Sequence, residues 1–269
     1  MPWALLILFQ TITLDIPLNT EYQSRPYRLE VGGSTFDFLD RAAWKARRSE
    51  EAHDRLRADE LCSAVSFGIT GRDFVLFASD TSAARSIVKM KGDEDKQKTI
   101  GKHLVLTYSG EPGDTIQFSE YIERNLRLYQ IRQVPHHIPL RPSSAASWTR
   151  NQLASSLRSR KPYSVNLLLG GYDPTASKAE LYWIDYLGTM ATVPYAAHGY
   201  GAYFCLSTMD RWHSPDMTLD EALDLLRKCV NELETRFIVN LGNFTVRVAD
   251  KDGVRKVDLK TGQTVQPTV

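Results

Sequence analysis

The chain has 269 residues, 42% of them hydrophobic and 24% charged, with a formal net charge of +1. This is the composition of a globular protein with room for one large core or two small ones, and it excludes a generally basic nucleic-acid binder. Its three cysteines, Cys62, Cys205 and Cys229, show no C-x-x-C spacing, which argues against a disulfide framework or a zinc site and fits a reducing compartment.

The chain opens on an apolar run, Trp3 to Phe9. It is too short to span a bilayer, and with no Lys or Arg before it and Asp15 soon after, it makes a poor secretory signal. From Arg41 to Glu60 charge of both signs is dense, and Trp44 and Leu56 are the large apolar residues. That pattern suits a solvated helix without an apolar stripe. Residues 1–62 therefore read as a leader or extension, poorly ordered or from a mispredicted first exon, and residues 63–269 as the folded domain. A cleaved propeptide is the functional alternative.

Ala64 to Thr70 and Phe74 to Ser79 read as two strands joined at Gly71-Arg72-Asp73, the second ending on Asp80. Apolar runs of this length bounded by Gly and Asp suit strands buried between layers. A polar stretch follows to Lys98, holding the acidic run Asp93-Glu94-Asp95. Hard-cation loops use alternate rather than adjacent positions, so this run reads as a solvated turn and no metal is expected. His103 to Gly110 is a third strand. A helix follows with Asp114 as its N-cap and Phe118, Ile122, Leu126 and Tyr129 on one face, closed by Pro135. His136-His137 in the next loop lack nearby ligands and read as solvated. A second helix over 143–159 carries Ala146, Leu153 and Leu157, and its basic end, Arg158 to Lys161, suits the helix dipole.

Tyr163 to Leu169 is a strand, Gly170 to Pro174 its turn, and Glu180 to Tyr186 its partner; Thr192 to Ala196 is another short strand. His198 reads as a packed, hydrogen-bonded histidine. The aromatic cluster Tyr182, Trp183 and Tyr186 reads as core on one strand face and contact surface on the other. A helix holds Tyr203, Phe204, Leu206 and Met209. Thr218-Leu219-Asp220-Glu221 has capping-box spacing ahead of a stripe of Leu219, Leu223, Leu226, Val230, Leu233 and Phe237. Strands from Phe244 to Val248 and from Val254 to Leu259, turning at 250–253, precede a polar, extended tail. Strands, two helices, strands, two helices, strands is not the alternation of a doubly wound sheet. Two antiparallel sheets face to face, each covered by a helix pair, would bury every apolar face: an α+β, four-layer αββα sandwich.

Several stretches resemble the proteasome β subunits, members of the N-terminal-nucleophile hydrolases. They are the strand pair ending on Asp80, the run Gly110-Glu111-Pro112-Gly113-Asp114-Thr115-Ile116-Gln117-Phe118-Ser119-Glu120-Tyr121-Ile122, the run Leu157 to Tyr163, the Gly170-Gly171-Tyr172-Asp173 hairpin, and Ala197-His198-Gly199-Tyr200-Gly201. The resemblance covers about 64–259 and implies the αββα sandwich. In active members the first strand opens on a threonine whose own amine is the base, helped by an aspartate, a lysine, a serine between two glycines and a late aspartate. The family spacing places Ala64, Asp80, Lys96, Tyr200 and Asn240 at those positions. Asp80 and Lys96 retain suitable chemistry; the other three do not. Cys62 and Ser63 are usable nucleophiles, but Ser63 would face the opposite side of the strand and Cys62 would lie about 7 Å too early.

The resemblance therefore implies a non-catalytic, architectural β subunit of a 20S core particle that degrades ubiquitin-tagged proteins. Its implied partners are other α and β subunits in stacked seven-membered rings, in cytoplasm and nucleus, with no cofactor, nucleic acid or membrane. The rival expectation is a stand-alone amidase of the same fold, using Cys62 or Ser63 after processing.

Overall fold

The computed structural model describes residues 30–31, 34–35, 65–85, 88–133, 139–236 and 241–265. The chain divides into two units, 1–53 and 54–269. In the first, β1 (Glu30–Val31) and β2 (Ser34–Thr35) form an antiparallel pair, with Val31 opposite Ser34. The rest of the expected leader, with Cys62, and then Ser63 and Ala64, lie outside the described residues. So do His136, His137, Phe237, Asn240 and the last four residues of the tail.

In the second unit β3 (Ser66–Thr70) and β4 (Phe74–Asp80) pair antiparallel across the turn at Gly71, whose N–H donates to the Phe74 carbonyl at 2.9 Å. The polar stretch after Asp80 contains more regular structure than its composition advertises. β5 (Ala83–Arg85) and β6 (Val88–Lys91) form a small separate sheet, and β7 (Gln97–Ile100) pairs with β8 (Leu104–Gly110). Helix α1 (Pro112–Gln133) starts before Asp114. Asp114 is not the N-cap; its carboxylate accepts the Ser164 N–H at 3.1 Å and so ties the first helical turn to the chain ahead of the next strand. Helix α2 (Pro142–Ser156) ends three residues earlier than its pattern suggests, leaving Leu157 exposed at its C-cap and 158–161 exposed beyond it.

Strand β9 (Val165–Asp173) runs straight through Gly170-Gly171 rather than turning there, and the turn falls at 174–177 before β10 (Lys178–Ile184). The glycines serve close approach between strands. A Cβ on Gly171 would lie 1.9 Å from the His103 carbonyl oxygen, and one on Gly170 would lie 2.4 Å from that of Glu180. The single short strand expected over 192–196 is two: β11 (Met190–Thr192), paired with β10, and β12 (Tyr195–His198), which crosses to pair with β3. Helix α3 (Gly201–Trp212) and helix α4 (Leu219–Arg236) follow. The capping box forms: the Thr218 N–H donates to Glu221 at 2.8 Å, and the Glu221 N–H reaches the Thr218 hydroxyl at 3.5 Å. β13 (Phe244–Asp250) and β14 (Gly253–Val257) form the last hairpin, and part of the expected tail, β15 (Thr264–Val265), pairs with β14.

The strands assemble into a five-stranded sheet, β11-β10-β9-β8-β7, and a six-stranded sheet, β12-β3-β4-β13-β14-β15, antiparallel throughout. Phe118, Ile122 and Leu126 of α1 and Ala146 and Leu153 of α2 pack with Leu104, Leu106, Leu167 and Leu169 on the outer face of the first sheet. Met209 of α3 and Leu223, Leu226 and Leu233 of α4 pack with Val65, Phe67, Ile69 and Leu76 on the outer face of the second. Val75, Phe77, Val105, Leu168 and Leu181 fill part of the space between the sheets. This is the expected αββα sandwich. Each fully buried large apolar side chain in these three layers contributes roughly 1.5–3 kcal/mol. Tyr129 departs from its expected place in the stripe and is exposed.

Candidate functional site

Strand β4 delivers Asp80 to the edge of the helix-covered core. The residue is 2% exposed and Lys96 is 8% exposed, so they form a buried ion pair rather than a surface one. The ammonium of Lys96 donates to both carboxylate oxygens of Asp80, at 3.0 and 2.9 Å, and to the backbone carbonyl of Ser82 at 2.5 Å. An ammonium has three N–H donors, and all three are engaged. Ser82 also gives Asp80 its hydroxyl at 2.6 Å and its backbone N–H at 3.3 Å, which closes the local turn. Breaking one side of such a pair leaves an uncompensated buried charge, generally worth about 3–5 kcal/mol. Ser82 was not singled out from the sequence, although Asp-x-Ser is a turn signal that points to it.

Val65 joins this pair to the Gly199-Tyr200-Gly201 turn. Its carbonyl accepts the Asp80 N–H at 3.1 Å, and its side chain packs against Gly201, where a Cβ would lie 2.5 Å from a Val65 methyl. Gly199 has φ +81°, and Tyr200 enters α3 half-buried, its ring 6.1 Å from that of Tyr203. The structure therefore brings Asp80, Lys96 and the turn bearing Tyr200 around the start of β3. Ala64, next in sequence to Val65, and Asn240 are the two positions of the expected set outside the described residues.

The neighbouring polar groups have separate partners. Asp93 meets Lys91 at 3.5 Å, while Asp95 takes both arms of Arg247, at 2.9 and 2.5 Å. Partial burial alone would raise the Asp95 pKa, but the Arg247 hydrogen bond and charge outweigh it and hold the carboxyl below its ordinary value. His198 is packed as expected: its Nε2 lies 3.1 Å from the Leu167 carbonyl and its ring stacks on Trp183. Burial pushes its pKa down to about 4, against the opposing pull of the Leu167 carbonyl. Tyr182 is buried on the helix-covered side, its hydroxyl donating to Glu180 at 2.8 Å, and the half-buried Trp183 packs on the side between the sheets. Cys205 and Cys229 are buried free thiols.

A sandwich of two antiparallel sheets between helix pairs, with an Asp–Lys pair at the start of its first strand, is the N-terminal-nucleophile hydrolase class of architecture. Residues 63–249 match the family model described as proteasome subunit. The chain belongs to the proteasome subunit family. It is 47% identical over 191 residues to a Schizosaccharomyces pombe protein named "Probable proteasome subunit beta type-4", covering 71% of this chain and 97% of that one. It is 45% identical over 194 residues to Saccharomyces cerevisiae "Proteasome subunit beta type-4" (72% and 96% covered). To Oryza sativa "Proteasome subunit beta type-2" it is 47% identical over 189 residues (70% and 87% covered).

Proposed function

We propose that this chain is a non-catalytic β subunit of the proteasome core particle, of the kind called type 4 in yeast and type 2 in plants and animals. It serves as a wall segment between neighbouring subunits of stacked rings, in cytoplasm and nucleus, within the particle that degrades ubiquitin-tagged proteins. Residues 63–269 form the subunit domain, and 1–62 a leader or extension. The likeness to named β subunits supports the membership of the particle.

What supports the absence of catalysis is the alanine at position 64, where active members of the family carry their nucleophile. A nucleophile in this fold needs a cation to lower its pKa and a base within reach. Lys96 supplies such a cation, held by Asp80 and the Ser82 carbonyl, so the missing part is the nucleophile itself. Alanine at position 64 offers a methyl group in place of an oxygen, and the serine of the Gly-Ser-Gly turn is Tyr200. The fold remains, and its surfaces are what it contributes.

A threonine-directed electrophile such as a peptide epoxyketone tests this in the native particle. The expected outcome is no covalent adduct on this chain by intact mass while catalytic neighbours are labelled. Stoichiometric labelling at residues 62–64 would overturn the reading.

A further inference from the structure

We infer that the two sheets hold a buried water-binding site between Ser66, Thr107 and Ser109. The hydroxyls of all three are buried and have no hydrogen-bond partner among the described residues. A fourth such hydroxyl, that of Thr70, lies at the far end of β3. Buried hydroxyls are nearly always satisfied, by protein or by ordered water, so the three that the fold brings together call for a common partner.

Strand registers place the three together. Ser66 lies in the six-stranded sheet between Ser79 on β4 and His198 on β12, its direct cross-strand neighbours. Both neighbours reach across to the other sheet. Ser79 accepts a hydrogen bond from the Gln97 side chain of β7 at 3.0 Å, and His198 meets the Leu167 carbonyl of β9 at 3.1 Å. Between β7 and β9 runs β8, where Thr107 pairs with Gln97 and Tyr108 with Leu167. Ser66 therefore stands over β8 at Thr107, with Ser109 next on the same face.

Side-chain alternation confirms the facing. Leu104, Leu106 and Tyr108 point to the helix-covered core and Val105 to the space between sheets, so Thr107 and Ser109 point there too. Val65 and Phe67 likewise face the helices, which turns Ser66 inward.

The space suits the ligand. Facing sheets pack roughly 10 Å apart, and two short hydroxyl side chains span only about half of that. The remainder is about two hydrogen-bond lengths of ~2.8 Å each, the span of one water with an oxygen on either side. Three hydroxyls, each able to donate and to accept, match the usual ~3 hydrogen bonds of a buried water.

The test is a high-resolution structure of the full-length chain together with hydrogen exchange at the β3 and β8 amides. Density for an ordered water within hydrogen-bond distance of at least two of the three hydroxyls is expected. Protein atoms bonded to the hydroxyls, or an empty gap where other buried waters are seen, overturns the site. Ser66→Ala and Thr107→Val should each raise the opening equilibrium about fivefold, because each strands the shared water's remaining partners. Thr107→Ser should restore protection, and the double variant should fall well short of the product of the singles. Singles that tighten the structure, or that multiply independently, mean isolated orphan hydroxyls and sink the proposal.

Discussion

His198 shows how much one side chain's surroundings decide. In sequence it is a histidine before a glycine, beside the turn where this family keeps part of its machinery. In the structure it is buried, stacked on Trp183, with its Nε2 at the Leu167 carbonyl. A carbonyl can only accept, so Nε2 carries the proton and the ring is neutral. Its pKa is about 4 when folded, against an ordinary value near 6.5. The unfolded chain thus binds the proton first, so this residue's contribution is complete above pH ~6.5 and is lost as pH falls towards ~4. Full protonation on unfolding corresponds to roughly 3 kcal/mol. Chemical denaturation of the native protein and of His198→Phe between pH 7 and 4.5 should show the wild type losing more stability than the variant. Parallel losses would mean that His198 is not buried neutral.

Among the elements, β9 is where pattern and structure part. Two consecutive glycines between apolar and polar runs carry a strong turn signal. Here they lie mid-strand because β8 and β10 press their backbones against that spot, and only a residue without a side chain admits both. Gly171→Ala would place a methyl 1.9 Å from the His103 oxygen, and rigid backbone has little room to yield. We expect a loss of about 1–3 kcal/mol, read as a lower thermal midpoint, with the largest rise in exchange at β8 and β9. A variant as stable as wild type would show that the neighbouring strand yields and that its close approach does not require glycine at this position. The reverse case is α4, whose capping box and apolar stripe give its start and its buried face without help from distant residues.

For the molecule as a whole, the alanine at position 64 and the intact layers shift attention to the outside. Met90, Ile131 and Tyr203 are each more than 60% exposed, and Trp212 half-exposed with Lys228 over its ring at 3.7 Å. Such side chains scattered singly are ordinary on a protein surface, and the expectation of partners rests on the likeness to named β subunits. Native mass measurement on the endogenous protein should therefore find the chain in a particle of many similar-sized subunits. Recovery as a free monomer that hydrolyses amides would favour the amidase alternative instead.

What the sequence determined by itself is what depends on local periodicity and neighbours a few residues apart. That includes the two classes of element, their order, the capping at Thr218, and, through family spacing, Asp80 and Lys96 as a pair worth watching. What only the tertiary structure decided depends on groups far apart in the chain meeting across strands. The closing of Lys96 on the Ser82 carbonyl, the splitting of 190–198 between two sheets, the passage of β9 through Gly170-Gly171, and the line of hydroxyls at Ser66, Thr107 and Ser109 are all of this kind. Hydrogen bonding and steric exclusion act over a few ångströms of space. A linear pattern records them only when those ångströms coincide with a few residues of chain.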